Sequence, residues 1–346
     1  MSDALETRAR QQEIASLSKV SRSTVSRCLR GKSDVDLATR AKVLKIASEL
    51  GYRPPATRAM SESCITLGVF IANKPHHGDL SRTYLQGASL AAEKLNALVT
   101  VSYTSPCEQA VPSDVILSSP ALEPGRLNGS ILIHHDIAEP VARRLASLAP
   151  CVAIAHEYPG LGISHVEADN LGGIRTLMER LHALGHTRIG FAGSFPCDFL
   201  WYRRRLAAYL ESRLFLALPE DPRYCIRATT RTQAGYDELV SQRIIPLIEE
   251  GVRAWMCVND PMAVDVCRRL VAAGYRIPQD VSITGFDGLK SVLPQPLTTI
   301  RLPAKAMGAA AVQLLVQQIR NTEWAAQTMV VGVECIEGET IGPCPV

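Results

Sequence analysis

No apolar run in this chain reaches 18 residues, so a membrane-spanning helix is excluded. Its first residues carry acids and no apolar stretch, so a secretory leader is not expected. There is no C-x-x-C, which argues against a zinc ribbon or a thioredoxin-type site. The ten cysteines are scattered singly, and Cys64, Cys151 and Cys257 lie in apolar runs that suit small core side chains. A reducing, cytoplasmic setting is expected. Nucleotide-binding glycine loops, a G-x-S-x-G elbow and an H-E-x-x-H pair are all missing, so catalysis is not expected. No cofactor is expected either. His76 and His77 form an adjacent pair with no third ligand at a known spacing, and no metal site is expected there.

What is present is an uneven charge. Residues 1–60 hold twelve Lys/Arg and six acids, whereas the remaining residues hold 25 basic and 28 acidic side chains. A basic head on a mildly acidic body suggests that the head meets a polyanion, although a merely solvated basic face has the same composition.

The head reads as three helices. In the first, Ile14, Ala15 and Leu17 are placed on one side. Ser21 is a candidate N-cap for a second helix from Arg22 to Leu29, with Val25, Cys28 and Leu29 facing inward. Gly31 is expected to end it, and Asp34 or Asp36 to cap a third helix bearing Leu37, Ala41, Leu44 and either Ala47 or Ser48. Two short helices joined by a tight turn, the second with a serine-rich start, form a helix-turn-helix pattern. Its exposed side carries Arg22, Ser23, Ser26 and Arg27. Arginine can donate two hydrogen bonds to guanine, and serine can reach bases or phosphates. A small helical cap with solvated arginines remains the alternative.

After about residue 63 the pattern changes. Apolar runs at 65–72, 97–103, 129–134, 151–155, 188–192, 254–258 and 281–286 alternate with helical stretches at 80–95, 140–148, 172–184, 200–212, 231–250, 262–273 and 305–319. Strands alternating with helices at this spacing imply parallel sheets covered on both faces. The body is long for one such sheet, so two lobes are expected. Residues 104–125 and 156–165 read as loops.

Specific motifs accompany this plan. Ile14-Ala15, Val20-Ser21, Thr24-Val25-Ser26-Arg27 and Gly51-Tyr52-Arg53-Pro54 resemble the DNA-binding head of the lactose-repressor (LacI/GalR) family. In the body, Asp169-Asn170-Leu171-Gly172, Leu184-Gly185-His186, Asn259-Asp260-Pro261-Met262-Ala263, Gly285-Phe286-Asp287 and Pro296-Leu297-Thr298-Thr299-Ile300 resemble the same family's two-lobe core, which is like a periplasmic binding protein. The resemblance implies an all-α helix-turn-helix head at 8–53, a hinge at 54–63, and an α/β effector-binding and dimerising core at 64–346.

It further implies a homodimer on double-stranded, pseudo-palindromic DNA, controlled by a small-molecule effector such as a sugar or related metabolite. Arg22, Ser23 and Arg27 take the base-reading positions, Ser21 and Thr24 hold phosphates, and Met60 stands nearest the place of the minor-groove wedge. Arg205, Asn259 and Asp287 correspond to effector contacts, joined by Asn73 and His156 from the first lobe. On the bare residues, Asp260 reads as a helix cap, His182 and His186 as structural, and Arg203 and Arg204 as a solvated face.

The chain departs from the family in three places. Lys19 replaces the usual glycine of the turn. The hinge is shorter. Leu302-Pro303-Ala304 lacks the aromatic side chain that stacks on a sugar in many relatives. A sequence ending in Gly342-Pro343-Cys344-Pro345 holds no heptad helix, so no tetramer tail is expected. Two other readings fit parts of the chain: a sugar-binding protein of periplasmic type, and an α/β enzyme with a helical appendage.

Overall fold

In the computed structural model, the described residues are 11–29, 36, 39, 42–43, 45–47, 50, 65–72, 78–104, 125–133, 137–193, 199–230, 232–290, 293–321 and 325–345. The hinge at 54–63, Met60, Asn73, the His76–His77 pair, Gly31 and Asp34 lie outside them.

The head is helical. Helix α1 covers residues 11–18, α2 covers Arg22–Leu29, and residues 39, 42–43 and 45–47 belong to α3. Its core is Ile14, Ala15, Val25, Cys28, Val43 and Ala47. Leu17, expected inside, is 54% exposed, and Ser18 takes its place. A helix repeats after 3.6 residues, so position 18 rather than 17 shares the face of Ile14. The Ser18 hydroxyl is satisfied by the Ile14 carbonyl. In α3 the buried positions include Val43, which the expected stripe omitted. Asp36 caps this helix by accepting from Thr39 N at 2.9 Å.

The rest of the chain folds into two compact units, and it crosses between them three times. The first unit closes with Gly308–Gln327, and the second is Val166–Met307 plus Thr328–Val346.

In the first unit, β1 (Ile65–Ala72), β2 (Ala97–Thr104), β3 (Gly129–Ile133) and β4 (Cys151–Ile154) lie parallel in the order β2-β1-β3-β4. Helices α4 (Gly78–Lys94) and α5 (Glu139–Leu148) connect them. Phe70, Leu132, Val141 and Leu145 pack together, as near-continuous apolar strands of a covered parallel sheet require. A strand β5 (Ser164–Ala168) begins inside the stretch expected to be loop. Pro159, Gly160 and Gly162 gave that stretch its loop character, but the turn they form ends before Ser164.

In the second unit, α6 (Asn170–Ala183) is capped by Asp169, which accepts from Gly172 N at 2.8 Å. Strands β6 (Ile189–Gly193), β7 (Cys225–Arg227), β8 (Ala254–Cys257) and β9 (Ser282–Thr284) make a parallel sheet in the order β7-β6-β8-β9. Helix α7 (Leu200–Phe215) follows β6. The helix expected at 231–250 is instead α8 (Gln233–Glu238), a π-helical turn (Leu239–Ile244) and α9 (Ile245–Glu249). Pro246 lacks the N–H that a continuous α-ladder needs at that point, and the wider turn precedes it.

Helix α10 (Asp260–Ala272) follows β8. Strand β10 (Thr299–Arg301) pairs antiparallel with β12 (Glu334–Ile336). Helix α11 (Ala304–Arg320) and strand β11 (Thr328–Val331) complete the chain. The core centres on Trp255, Phe191, Tyr209 and Phe286. Gly190 pairs with Trp255 across β6 and β8, and a Cβ there would collide with the indole. The final residues, 337–345, form no helix.

Candidate functional site

The head presents one candidate surface. The Ser21 hydroxyl caps α2 by accepting from Thr24 N at 3.1 Å. The same oxygen lies 2.7 Å from Ser23 Oγ and 2.8 Å from Thr24 Oγ1, so three hydroxyls cluster at the helix start. Arg22, Ser23 and Arg27 are exposed, Thr24 and Ser26 are half-buried, and Val25 and Cys28 pack inward. One turn away, Arg27 Nη2 reaches Thr24 Oγ1 at 3.5 Å. Lys19 sits in the turn with φ +57°, the left-handed conformation that a glycine adopts freely. The result is a helix N-terminus with unpaired amides, hydroxyls and two outward guanidinium groups, which suits an anion.

The second unit holds a buried polar cluster built on Arg205. Helix α7 carries this side chain inward at 3% exposure, while Arg203 and Arg204 point outward. Its Nε donates to Asn170 Oδ1 at 3.0 Å, Nη1 to the Val258 carbonyl at 2.7 Å, and Nη2 to Asp287 Oδ1 at 3.0 Å. The guanidinium lies 3.8 Å from the centre of the Phe286 ring and 5.0 Å from that of Trp201. A buried arginine is tolerated because its donors meet oxygens and its flat faces meet aromatic rings.

Asp287 is held as firmly. Its N–H donates to the Ile300 carbonyl at 2.8 Å, and its own carbonyl accepts from Leu302 N at 3.1 Å. These bonds fix a φ of +127°, a costly value for a side chain other than glycine. Burial pushes its carboxyl pKa up to about 7; Arg205 opposes the shift and Asp260 adds to it. Nearby, Asp260 is buried and accepts from Thr299 Oγ1 at 2.5 Å and Leu289 N at 2.7 Å. Burial raises its pKa as well.

Asp260 is therefore not the helix cap that the motif suggested. Asn259 is, because its Oδ1 accepts from Met262 N at 3.0 Å. The fold thus brings Arg205 and Asp287 together, with Asn259 following the carbonyl that Arg205 grips. Asn170, Phe286 and Asp260 also belong to this cluster. Each stood in a recognised motif, but nothing in the spacing marked it as a partner of Arg205. His156 belongs to the first unit, where its ring meets Tyr158 edge-on at 4.7 Å. His186 is buried, its Nε2 3.0 Å from the Gly342 carbonyl and 3.2 Å from Ser282 Oγ, a structural clamp on the C-terminal segment.

Cys151 and Cys257 are buried, and desolvation pushes the Cys151 thiol up to about 12. Such a thiol is a core side chain, not a nucleophile. Among the described residues, no group of three or more His, Cys, Asp or Glu side chains is placed to hold a metal ion. No helix among them is long and apolar enough to cross a membrane.

Comparison with known proteins follows the same division. Residues 12–55 match the family described as bacterial regulatory proteins, lacI family, and residues 178–341 match the periplasmic binding protein-like domain. The chain is 28% identical over 341 residues to the HTH-type transcriptional repressor CytR of Escherichia coli K12, covering 96% of each protein. It is 29% identical over 325 residues to the HTH-type transcriptional regulator MalR of Streptomyces coelicolor, covering 90% of each. Its fold resembles the transcriptional regulator CelR in its cellobiose complex, with TM-score 0.66, 23% identity, and coverage of 95% of this chain and 99% of that one. It likewise resembles the lac repressor dimer bound to operator and the anti-inducer ONPF, with TM-score 0.64, 22% identity, and coverage of 94% and 97%.

Proposed function

Because the chain belongs to the lacI family of bacterial regulatory proteins, we propose that its head reads operator DNA and that the Arg205–Asp287 cluster senses a small molecule. It is a DNA-binding transcriptional regulator, and we read it as a repressor. The observation that carries the reading is the arrangement of α2. One face is locked into the head core by Val25 and Cys28, while Arg22, Ser23 and Arg27 stand together on the other. One such helix makes few base contacts, and two heads on one body multiply their effective concentration. We therefore take the working form as a homodimer on a pseudo-palindromic site.

The lac repressor neighbour is a dimer on its operator, which supports this reading. The domain plan is a head at 8–53, a hinge at 54–63 and an effector core from 64. We place the protein in the cytoplasm, with its DNA, and read it as a binding protein without catalysis. Arg205 and Asp287 lie just beyond the carboxyl ends of parallel strands, where open α/β sheets receive ligands. Asn259, Asn73 and His156 are the further candidate contacts, and Met60 is the candidate wedge.

A gel-shift assay with genomic fragments tests the DNA reading. One fragment class should be retained against excess competitor, and Arg22→Ala should release it. Retention of all fragments alike would reduce the head to a nonspecific basic surface.

A further inference from the structure

Arg204 reads from the sequence as part of a solvated face, yet its side chain is 50% exposed and its Nε lies 3.6 Å from Glu167 Oε2. That separation makes an ion contact rather than a hydrogen bond. Glu167 stands on β5, all five residues of which are buried, between β4 and β11 in the sheet. A covered strand calls for apolar side chains, and a carboxylate there is costly unless a cation meets it. The next residue of α7 holds the same segment at a second point. Arg205 Nε donates to Asn170 Oδ1, and Asn170 Nδ2 donates at 3.0 Å to the carbonyl of Ala168, the last residue of β5. Two consecutive arginines thus hold residues 167–170. The chain passes from the first unit to the second on this strand, between His165 and Val166, and the head precedes that crossing.

We propose that Glu167 and Arg204 are positioning residues that tie the crossing strand to α7, so that a displacement of Arg205 is passed to β5 and from there to operator binding. The proposal rests on the regulatory reading above and adds a route to it. With Asn170 alone, α7 would hold the strand end at one point, about which the strand can pivot. The Glu167–Arg204 contact supplies a second point and fixes its direction. The pair acts through charge, and its arginine is half in solvent, so salt should loosen it. A glutamate buried at this position is a poor device for stability, which leaves the tether as its use. Residues that act through one contact must also show non-additive effects.

The test uses the full-length protein and, as probe, the DNA fragment that wild type retains selectively in the gel shift. The variants are Glu167→Gln, Arg204→Gln, the two combined, and Arg204→Lys. Each glutamine variant should speed amide exchange at Val166–Asn170 by about threefold or more. Each should also shift affinity for the fragment by about threefold or more, because the resting arrangement of the crossing strand changes. Melting temperatures should stay close to wild type. The double variant should match either single one, and Arg204→Lys, which keeps the charge, should keep most of the wild-type behaviour. In about 1 M salt, where screening acts within about 3 Å, exchange in wild type should approach that of Glu167→Gln. Asp287→Ala, which releases Arg205 Nη2, should alter exchange at Val166–Ala168 in wild type and not in Glu167→Gln.

The tether is overturned if the effects of the two glutamine substitutions add, or if exchange changes while affinity for the fragment does not. Slower exchange with a raised melting temperature in Glu167→Gln would mark the glutamate as a buried charge and nothing more, and would also overturn it. If wild type retains a fragment selectively and every variant retains it equally well, the regulatory reading survives while the tether falls. If wild type retains no fragment selectively, both fall.

Discussion

Arg205 donates to Asp287 at 3.0 Å, and the aspartate that receives this bond holds a backbone conformation normally left to glycine. Such a conformation costs on the order of 1–3 kcal/mol and persists only where the surroundings over-determine it. Here the backbone bonds to Ile300 and Leu302 do so. A strained, buried ion pair at the ends of parallel strands is a poor device for stability and a good one for presenting a carboxylate.

Asp287→Ala is expected to abolish the effect of the effector on operator affinity, with ligand-free operator binding within a few fold of wild type. By linkage, operator should change effector affinity in wild type by the same factor as the reverse. Fluorescence titrations with and without operator measure both. A normal response in the variant would remove Asp287 from the effector site.

The pH dependence has a definite sign. The Asp287 pKa is raised in the folded protein to about 7 from an ordinary value near 4. The folded state then binds the proton more tightly, so its contribution is complete below about pH 4 and disappears as pH rises through about 7. Wild type should therefore be most stable relative to Asp287→Asn in acid. The difference should shrink between pH 5 and 8 by roughly 1–3 kcal/mol. Urea unfolding of both proteins at the two pH values decides it, and a constant difference rejects the titration of Asp287.

Lys19 makes the opposite trade in the head. Its left-handed backbone should cost roughly 1 kcal/mol against glycine. Lys19→Gly should therefore raise the thermal stability of the head. If the ammonium meets a phosphate, the same change should lower the slope of log affinity against log salt by about 1. An unchanged slope would leave Lys19 with no role in DNA binding.

Substitutions on α2 should separate reading from clamping. Arg22→Ala or Arg27→Ala should lose about 1–3 kcal/mol on the cognate site and relax discrimination there. Ser21→Ala should cost about 0.5–2 kcal/mol of head stability through loss of the cap. Equal losses on cognate and random DNA would make the two arginines phosphate contacts.

A fragment beginning at residue 64 is expected to remain dimeric and to bind effector, but to lose specific DNA binding. Sedimentation and gel shift together check this. A monomeric fragment would assign the dimer to the head or hinge.

The long apolar runs of the body were legible because a covered parallel sheet needs continuous apolar strands, and β1, β3 and β4 follow that rule, whereas the edge strand β2 leaves Leu98 and Val101 exposed. The three-residue strands β7, β9, β10 and β12 are too short to show a period, and of these only β9 lay within an apolar run. Strand β5 hides His165 and Glu167 in buried positions, which reads as loop by composition. Arg205 and Asp287 could be named from their motifs, whereas their contact across 82 residues of chain could not. The exchange of roles between Asn259 and Asp260 was equally hidden, since either side chain can cap a helix and only burial separates them. Trp201 carried no signal of its own, since nothing local in the sequence shows that it lies over a guanidinium.

The threefold crossing of the chain sets an order of assembly during synthesis. Helix α11 supplies Leu315 and Ile319 to the side of Gly129, and Gly308 brings it against the backbone of Tyr84. That part of the first unit leaves the ribosome only after Val166–Met307, a span of roughly 140 residues. At about 5–20 residues per second, β1 to β4 wait roughly 7–30 s with one flank of their sheet uncovered. The second unit is in turn incomplete until Thr328–Val346 emerges, so the two become whole within moments of each other. A nascent chain stalled before residue 308 should expose apolar sheet surface to chaperones even though its head, finished long before, is already able to fold.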